Sequence, residues 1–587
     1  MAESYFDTDD VTKEYDGRIV ARILSYLKPY KTLVVLTIAA LVVSTLGELF
    51  IPVLQQQIID KALLGKNISF LVHGCIIYFI VLTLVFAFTF FQTWTANLMT
   101  QKVMKDIRLG LFTKTLSQST SFLSRNPVGR LVTRLTSDVA TMDEFFTTVL
   151  VAFLKDISIM AGSIVTMFIL SPQMATVVLI TLPPVLVVTL ISRVKARDAF
   201  RKQRTASSKV YAYLAERLAG IQVVQLFRQE RKSTKEFQNG NNEFLDANLK
   251  EMYVFATFRP IVEWFSILTM AAVIVVGGKM VFSLSISLGV LIAFINLVQM
   301  FFHPVTDIAE KYTMLQSAMA GGEKIFKLMD TDEHIPDSGT NDIKEVRGNV
   351  EFDNVCFAYK KGEDVLKGLT FSVKGGEMAA IVGYTGAGKT TIINVLARLW
   401  DIDSGEIRLD GVPVKNIPLN QLRQSIMPVM QDVTLFSGTI EENICLGLEL
   451  SQEEIITAAK TVYAHEFISR LPDGYKTVLS EGAANISTGQ RQLISFARVV
   501  AHNPRVVILD EATSSIDTET ERLIQLGIKK VLAGRTSFVI AHRLSTIRDA
   551  DRILVLSNGR LAEEGSHEEL VARDGFYSGL YRLQYED

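Results

Sequence analysis

Cysteine is scarce in this chain, with Cys75, Cys356 and Cys445 as the only three in 587 residues. They lie far apart and without metal-ligand spacing. That excludes a disulfide scaffold and a zinc site, and leaves three reduced packing residues. An excess of charge of one sign is missing too. The 60 Lys and Arg nearly balance the 62 Asp and Glu, for a formal net charge of −2, so nothing in the composition draws the chain to nucleic acid. The opening "MAESYFDTDD" lacks the apolar core of a secretory signal and the basic character of a transit peptide. Apolar sequence, in contrast, is abundant. Hydrophobic residues make up 49% and the mean hydropathy is +0.27, high for a soluble protein.

The apolar content is concentrated before about residue 310, in six runs approaching the roughly 20 residues that span a bilayer core. They begin at Thr32, Phe70, Phe145, Ala175, Pro260 and Ser287, and the last runs into "HPVTDIAEKY", which blurs its end. Short links with few Lys or Arg join the runs in pairs. Long polar stretches join the second run to the third and the fourth to the fifth. One carries Arg108, Lys114, Arg125, Arg130 and Arg134; the other carries Arg193, Lys195, Arg197, Arg201 and Lys202. The positive-inside rule places both stretches, and with them both termini, in the cytoplasm. Their length predicts helices that continue beyond the membrane, with short cross-running elements near "SFLSRNPVGRL" and "YAYLAERLAGIQVVQLF".

Glu48, Asp156, Glu263 and His303 lie in or near the runs. Each reads either as part of a substrate or proton pathway or as a polar contact inside a helix bundle. Phe90, Phe91, Met300, Phe301 and Phe302 are candidates for an apolar, adaptable cavity lining, against plain packing or lipid-facing roles.

A polar segment with Pro and Gly, "TDEHIPDSGTNDIKEVRG", follows. Beyond it, short β-branched runs alternate with helical patterns, which reads as α/β with a largely parallel sheet. The expected division is a membrane all-α domain over 1–328, a linker over 329–348 and an α/β P-loop domain over 349–587.

Within the last part, "AAIVGYTGAGKTTIINVLARL" reads as strand, Gly-rich turn and helix. Gly383, Tyr384, Thr385, Gly386, Ala387, Gly388, Lys389 and Thr390 fit G-x-x-x-x-G-K-[ST]. Backbone N–H groups in such a turn wrap phosphates, and the helix N-terminus adds positive potential. Lys389 can reach the β- and γ-phosphates, and the Thr390 hydroxyl can ligate Mg²⁺. "RVVILDEATSSID" ends a second strand on Asp510 and Glu511. That pair suits an Mg²⁺ shell and a general base, or alternatively the cap of the next helix. "NISTGQRQLISFARVV" puts a polar cluster at a helix start, readable as an anion loop or as a cap alone.

"GYTGAGKTT", "PVMQDVTLFSGTIEENI", "ISTGQRQ", "ILDEATSSID" and "VIAHRLSTI" occur in the order and approximate spacing of ATP-binding cassette (ABC) proteins. With six apolar runs ahead of them, and "NPVGRLVTRLTSDV" between the second and third, the chain resembles an ABC exporter half-transporter along nearly its whole length. The resemblance implies ATP and Mg²⁺ as cofactors, in a multi-pass protein of a bacterial cytoplasmic membrane with its ATPase domain in the cytoplasm. It implies that Tyr359 stacks on adenine, that Gly383 to Thr391 hold the nucleotide, and that Thr390, Gln431 and Asp510 serve the Mg²⁺. It makes Glu511 the catalytic base, His542 the switch residue holding the γ-phosphate, Gln431 a contact to Mg²⁺ and the attacking water, and Asp517 an interface residue.

In that family two cassettes close head to tail, and an L-S-G-G-Q loop completes the other subunit's ATP site. Here the loop is Ile486-Ser487-Thr488-Gly489-Gln490. Thr for the first Gly restricts the backbone and adds a side chain near the phosphate. A complete hydrolytic set beside an altered loop resembles the catalytic-glutamate half of a bacterial heterodimeric exporter. The implied partner is a second, non-identical half-transporter. An aromatic, Met-containing cavity favours a hydrophobic or amphipathic cargo, so the expected function is ATP-driven efflux of the multidrug type. A homodimeric lipid or peptide exporter, or an ATP-gated channel or regulatory receptor, shares the architecture. Chromosome-maintenance ATPases share the loops but not the apolar runs.

Overall fold

A computed structural model of the chain describes residues 17–63, 65, 67–510, 518–540 and 544–585. They form two compact units. One holds the chain up to Leu116 together with Val128–Thr331; the other holds Ser117–Pro127 and the chain from Asp332 onward.

The first unit is all helix. Six of its helices are long and apolar enough to cross a membrane. Helical backbone runs over Lys28–Ala62, Ile68–Leu116, Val128–Leu170, Pro172–Ala219, Glu230–Phe282 and Leu288–Asp330. At about 1.5 Å per residue, the 49-residue second helix is roughly 70 Å long, over twice a bilayer's ~30 Å core. Its surplus carries Arg108 and Lys114, and the 48-residue fourth helix carries the second basic stretch, Arg193 to Lys202. The sixth helix does not stop near "HPVTDIAEKY" but continues through Pro304 to Asp330. Phe302 and Val305 flank that proline and are buried in the bundle core, which offsets the one backbone bond the ring removes.

Polar side chains in the bundle pair across helices. Lys155 Nζ lies 2.8 Å from Glu48 Oε1. Lys311 pairs with Asp156. Thr37 and Thr95 share a hydrogen bond of 2.9 Å, as do Thr269 and Thr181. A charge removed from water is costly unless partnered, and these residues face one another. Glu48 and Asp156 are thus interhelical ion-pair partners, whereas Glu263 and His303 are exposed. Phe301 and Phe302 are core residues, while Phe90 and Phe91 face outward.

Short helices do form at the two cross-running segments, Thr120–Arg125 and Ile221–Leu226. The first belongs to the second unit. Ser119 N–H donates to the Glu333 carbonyl (2.7 Å), Glu333 N–H donates to Gln118 Oε1 (3.0 Å), and Arg125 pairs with the Glu333 carboxylate.

The second unit is α/β. Its strands are β1 (Val350–Ala358), β2 (Asp364–Val373), β3 (Met378–Gly383), β4 (Ser404–Leu409), β5 (Val412–Pro413) and β6 (Ile426–Val429). They continue with β7 (Gly438–Thr439), β8 (Val478–Leu479), β9 (Val506–Asp510), β10 (Thr536–Ile540), β11 (Arg552–Ser557) and β12 (Arg560–Gly565). Six make a sheet of order β12-β11-β3-β10-β9-β6, parallel except at the β12 edge. An antiparallel sheet of order β2-β1-β4-β5 adds a second layer.

The period of two assigns each central side chain to a face. Ala379, Ile381, Val506, Ile508, Phe538, Ile540, Leu554 and Leu556 pack with Phe352, Phe371 and the helix Lys389–Leu396. Ala380, Val382, Val507, Leu509, Val539, Ile553 and Val555 pack with Leu493, Phe496, Ile524 and Ile528. Burial on both faces is why these strands read as unbroken apolar runs rather than alternating ones.

The polar segment from Asp332 belongs to the second unit and is bonded within it. Arg398 Nη2 donates to the Pro336 carbonyl (2.9 Å) and Leu419 N–H to Asp337 (3.0 Å). Gln421 bonds both backbone groups of Ile343. Asp410, in the β4–β5 turn, accepts from the N–H groups of Arg347, Gly348 and Asn349 and from the Asn349 amide. Burial raises the Asp410 carboxyl pKa, and these four donors together bring it below its ordinary value. The stabilisation is therefore full above the unfolded carboxyl pKa of about 3.9 and disappears as pH falls through the lower folded value. Asp410→Ala should destabilise this unit at neutral pH by about 1–3 kcal/mol, with the difference from wild type shrinking in acid; thermal unfolding of the full chain at several pH values checks it.

Candidate functional site

β3 lies between β10 and β11, so its end is fixed from both sides. The chain then turns through Tyr384–Gly388 into the helix Lys389–Leu396. A Cβ at Gly383 would lie 2.4 Å from the Leu556 carbonyl oxygen, and Gly388 caps the helix at φ +102°. Only glycine fits the first without displacement, and the second has a backbone that favours glycine. Ala387 N–H donates to the Tyr384 carbonyl (3.1 Å), closing the turn. The first N–H groups of the helix have no carbonyl four residues back, so they are available to an anion.

Lys389 Nζ donates to the carbonyls of Gly383 (2.6 Å) and Tyr384 (3.1 Å), which holds its charge over the loop. Burial lowers the pKa of its amine, and the nearby Asp510 carboxylate works against that shift. Asp510 ends β9, in register with Ile540 of β10, which is in register with Ile381 of β3. Val429 of β6 stands opposite Leu509, so Gln431 emerges at the same edge of the sheet. The structure thus brings Gly383–Thr390, Asp510 and Gln431 to the carboxyl ends of the parallel strands, where open α/β sheets bind ligands. Thr385 and Thr390 are exposed. Thr390, Gln431 and Asp510 supply only oxygen donors, a set that suits Mg²⁺.

Tyr359 stands beside the P-loop helix. Its hydroxyl donates to Thr391 Oγ1 (3.2 Å) and accepts from Asn394 Nδ2 (2.9 Å). Its ring meets Trp400 edge-on at 4.9 Å and Phe357 at 4.8 Å, and 38% of the residue remains exposed. An aromatic face fixed by two neighbours and open to solvent can stack on a base.

Comparison with known proteins shows the family of the chain. The family profile described as ABC transporter transmembrane region covers residues 34–305, and that described as ABC transporter covers residues 366–514. The chain is 37% identical to YknV, an uncharacterized ABC transporter ATP-binding protein of Bacillus subtilis, over 99% of this chain and 97% of that one. The chain belongs to the ABC transporter family. It is 34% identical to an ATP-dependent lipid A-core flippase of Dechloromonas aromatica, over 96% of this chain and 97% of that one. It is also 36% identical to a fatty acid ABC transporter ATP-binding/permease protein of Mycobacterium tuberculosis, over 84% and 78%. A transmembrane region and an ATPase fused in one chain make it an ABC exporter half-transporter, a multi-pass membrane protein whose ATPase is coupled to transport. ABC exporters work as dimers, and the ABC ATPase domain binds ATP, normally with Mg²⁺.

In this half-transporter the altered loop opens the helix Thr488–His502. Ser487 accepts from Gln490 N–H (3.2 Å), and the Gln490 side chain accepts from Ser487 N–H (3.0 Å), a reciprocal cap. Thr488 is the first helical residue and has no left-handed backbone, so the expected backbone restriction does not arise. Its hydroxyl accepts from Arg491 Nη2 (2.9 Å), and Arg491 also reaches the carbonyls of Ala483 and Ile486. Ser487 and Thr488 are exposed and Gly489 is buried.

Glu511, Asp517 and His542 lie outside the described residues. Asn394, Trp400 and Arg491 were not singled out from the sequence. Trp400 is one of three tryptophans and lies four residues beyond the P-loop helix; Arg491 falls within "ISTGQRQ", and Asn394 carries no motif. Tyr359→Ala should weaken ATP binding about tenfold or more, whereas Tyr359→Phe should cost about threefold, because it keeps the stacking face and loses only hydroxyl bonds. Titration with a fluorescent ATP analogue measures both.

Proposed function

We propose that this chain is the catalytic-glutamate half of a heterodimeric exporter in a bacterial cytoplasmic membrane, with both termini and the ATPase unit in the cytoplasm. Its cargo is a hydrophobic or amphipathic compound of the multidrug type. The asymmetry of the cassette carries the reading. The Gly383–Lys389 cradle with Asp510 follows the family pattern, while the loop meant for another subunit's ATP holds Thr488 tied to Arg491. A homodimer would place that threonine at both sites.

In this reading the loop N–H groups and Lys389 hold the phosphates, and Tyr359 holds the adenine. Thr390, Gln431 and Asp510 would hold Mg²⁺, which neutralises phosphate charge. Glu511 takes the proton of the attacking water, and His542 holds the γ-phosphate and orients Glu511. Ser487, Gly489 and Gln490 contact the partner's ATP, and Asp517 lies at the dimer interface. Cassette closure moves the long helices and opens the cavity outward; hydrolysis resets it. The flippase and fatty acid transporter among the relatives favour a second reading, an amphipathic lipid as cargo.

Glu511→Gln should reduce ATPase of the purified pair by about 10²-fold or more while ATP binding persists; substantial residual turnover removes Glu511 as the base. Purification of the tagged chain should recover a different half-transporter with an L-S-G-G-Q loop and no Glu after its strand-end Asp. Recovery of this chain alone in an active dimer overturns the heterodimer. ATP-dependent uptake into inverted vesicles, compared for a fluorescent drug and a labelled lipid, separates the two cargoes; passive flow once ATP is bound points to a channel.

A further inference from the structure

We propose that Phe576, at the start of the C-terminal helix Phe576–Tyr585, positions the phosphate loop through Tyr384 and so sets the affinity for ATP. The inference rests on the reading of Gly383–Thr390 as the loop that holds the ATP phosphates. The Tyr384 carbonyl accepts from both Ala387 N–H and Lys389 Nζ, at 3.1 Å each. Its placement therefore decides where the ammonium sits and how the turn closes. Yet the residue is 53% exposed, so burial does little to hold it. Its ring is met edge-on by Phe576, at 5.6 Å between centroids and 89° between planes.

Phe576 is itself firmly placed. Its N–H donates to Glu563 Oε1 (2.6 Å) and the Tyr577 N–H to Glu563 Oε2 (2.9 Å), so both carboxylate oxygens cap the helix start. Gly575 leaves room for that carboxylate, since a Cβ there would lie 2.1 Å from Oε1. Tyr577 is buried, with its hydroxyl 2.7 Å from His567 Nδ1. Glu563 of β12 stands opposite Val555 of β11, and Val555 stands opposite Val382 of β3, the residue before Gly383. The cap and the loop thus start from one row of the sheet, two strand spacings or about 10 Å apart. The hairpin β11–β12 holds both ends of the contact, with Leu556 against Gly383 and Glu563 beneath Phe576.

The test uses the full chain with its partner, and steady-state ATPase against ATP concentration. Phe576→Leu, and separately Phe576→Met, should raise KM for ATP about three- to tenfold, the range an edge-to-face pair sustains, with the saturating rate falling less than about twofold. Phe576→Tyr should restore the wild-type KM. Tyr384→Leu should raise KM as well, and adding Phe576→Leu to it should change little more. An unchanged KM in both Phe576 variants, or a Phe576→Leu effect undiminished beside Tyr384→Leu, overturns the proposal. Lys389→Ala binding ATP as wild type would instead overturn the phosphate-loop reading itself.

Discussion

The close approach of Gly383 to the Leu556 carbonyl is the constraint on which the nucleotide-binding unit turns. β3 is buried on both faces and bonded on both edges, so the chain that leaves it starts from a fixed point. Without a Cβ in the way, the loop folds back tightly enough for Lys389 to reach the carbonyls of Gly383 and Tyr384. A larger residue would push the loop off β11 and carry the lysine with it. Asp510 acts on that lysine because it ends β9 level, across Ile540 of β10, with Ile381 of β3, two residues before Gly383. Around this point the aromatic side chains act as supports, with Trp400 and Phe357 behind Tyr359 and Phe576 behind Tyr384.

The membrane unit obeys a different rule. Apart from the sixth, its helices bury little of their apolar surface against one another, since lipid solvates that surface as well as a neighbour does. Specific contacts fall instead to the polar groups. Glu48 with Lys155 and Asp156 with Lys311 place two consecutive residues of the third helix against the first and the sixth. Asp60 joins the end of the first helix to the start of the sixth through Ser287 and the Gly289 N–H. These links fix which helix faces which, a choice that hydrophobicity alone leaves open.

Much of this was legible in the chain. The six apolar runs became six long helices because a hydrocarbon core imposes a length and forbids unpaired backbone groups. The Gly-rich turn lay between a strand and a helix because its spacing admits little else. Other readings needed the fold. Glu48 and Asp156 were ambiguous because the lysines that pair with them, Lys155 and Lys311 respectively, are remote from them in sequence. Phe301 and Phe302 read equally as cavity lining or packing until the bundle buried them. The segment after Asp330 had the composition of a tether, yet its polar groups are spent on Arg398, Leu419 and Gln421.

Thr488 shows the division most clearly. Sequence by itself determined that the loop departs from its family pattern at two residues, mildly at Ile486 and more at Thr488, and that the chain's phosphate loop and strand-end aspartate do not. Motif identity is a local property, carried by residue type and spacing. Only the tertiary structure decided what the substitution costs. A helix start accepts threonine without strain, and Arg491, one turn on, takes up the hydroxyl. The aromatic supports of Tyr359 and Tyr384 were decided in the same way. Phe357 is two residues from Tyr359, but Trp400 and Phe576 come from positions far away in the chain, and only the fold brings them within contact distance.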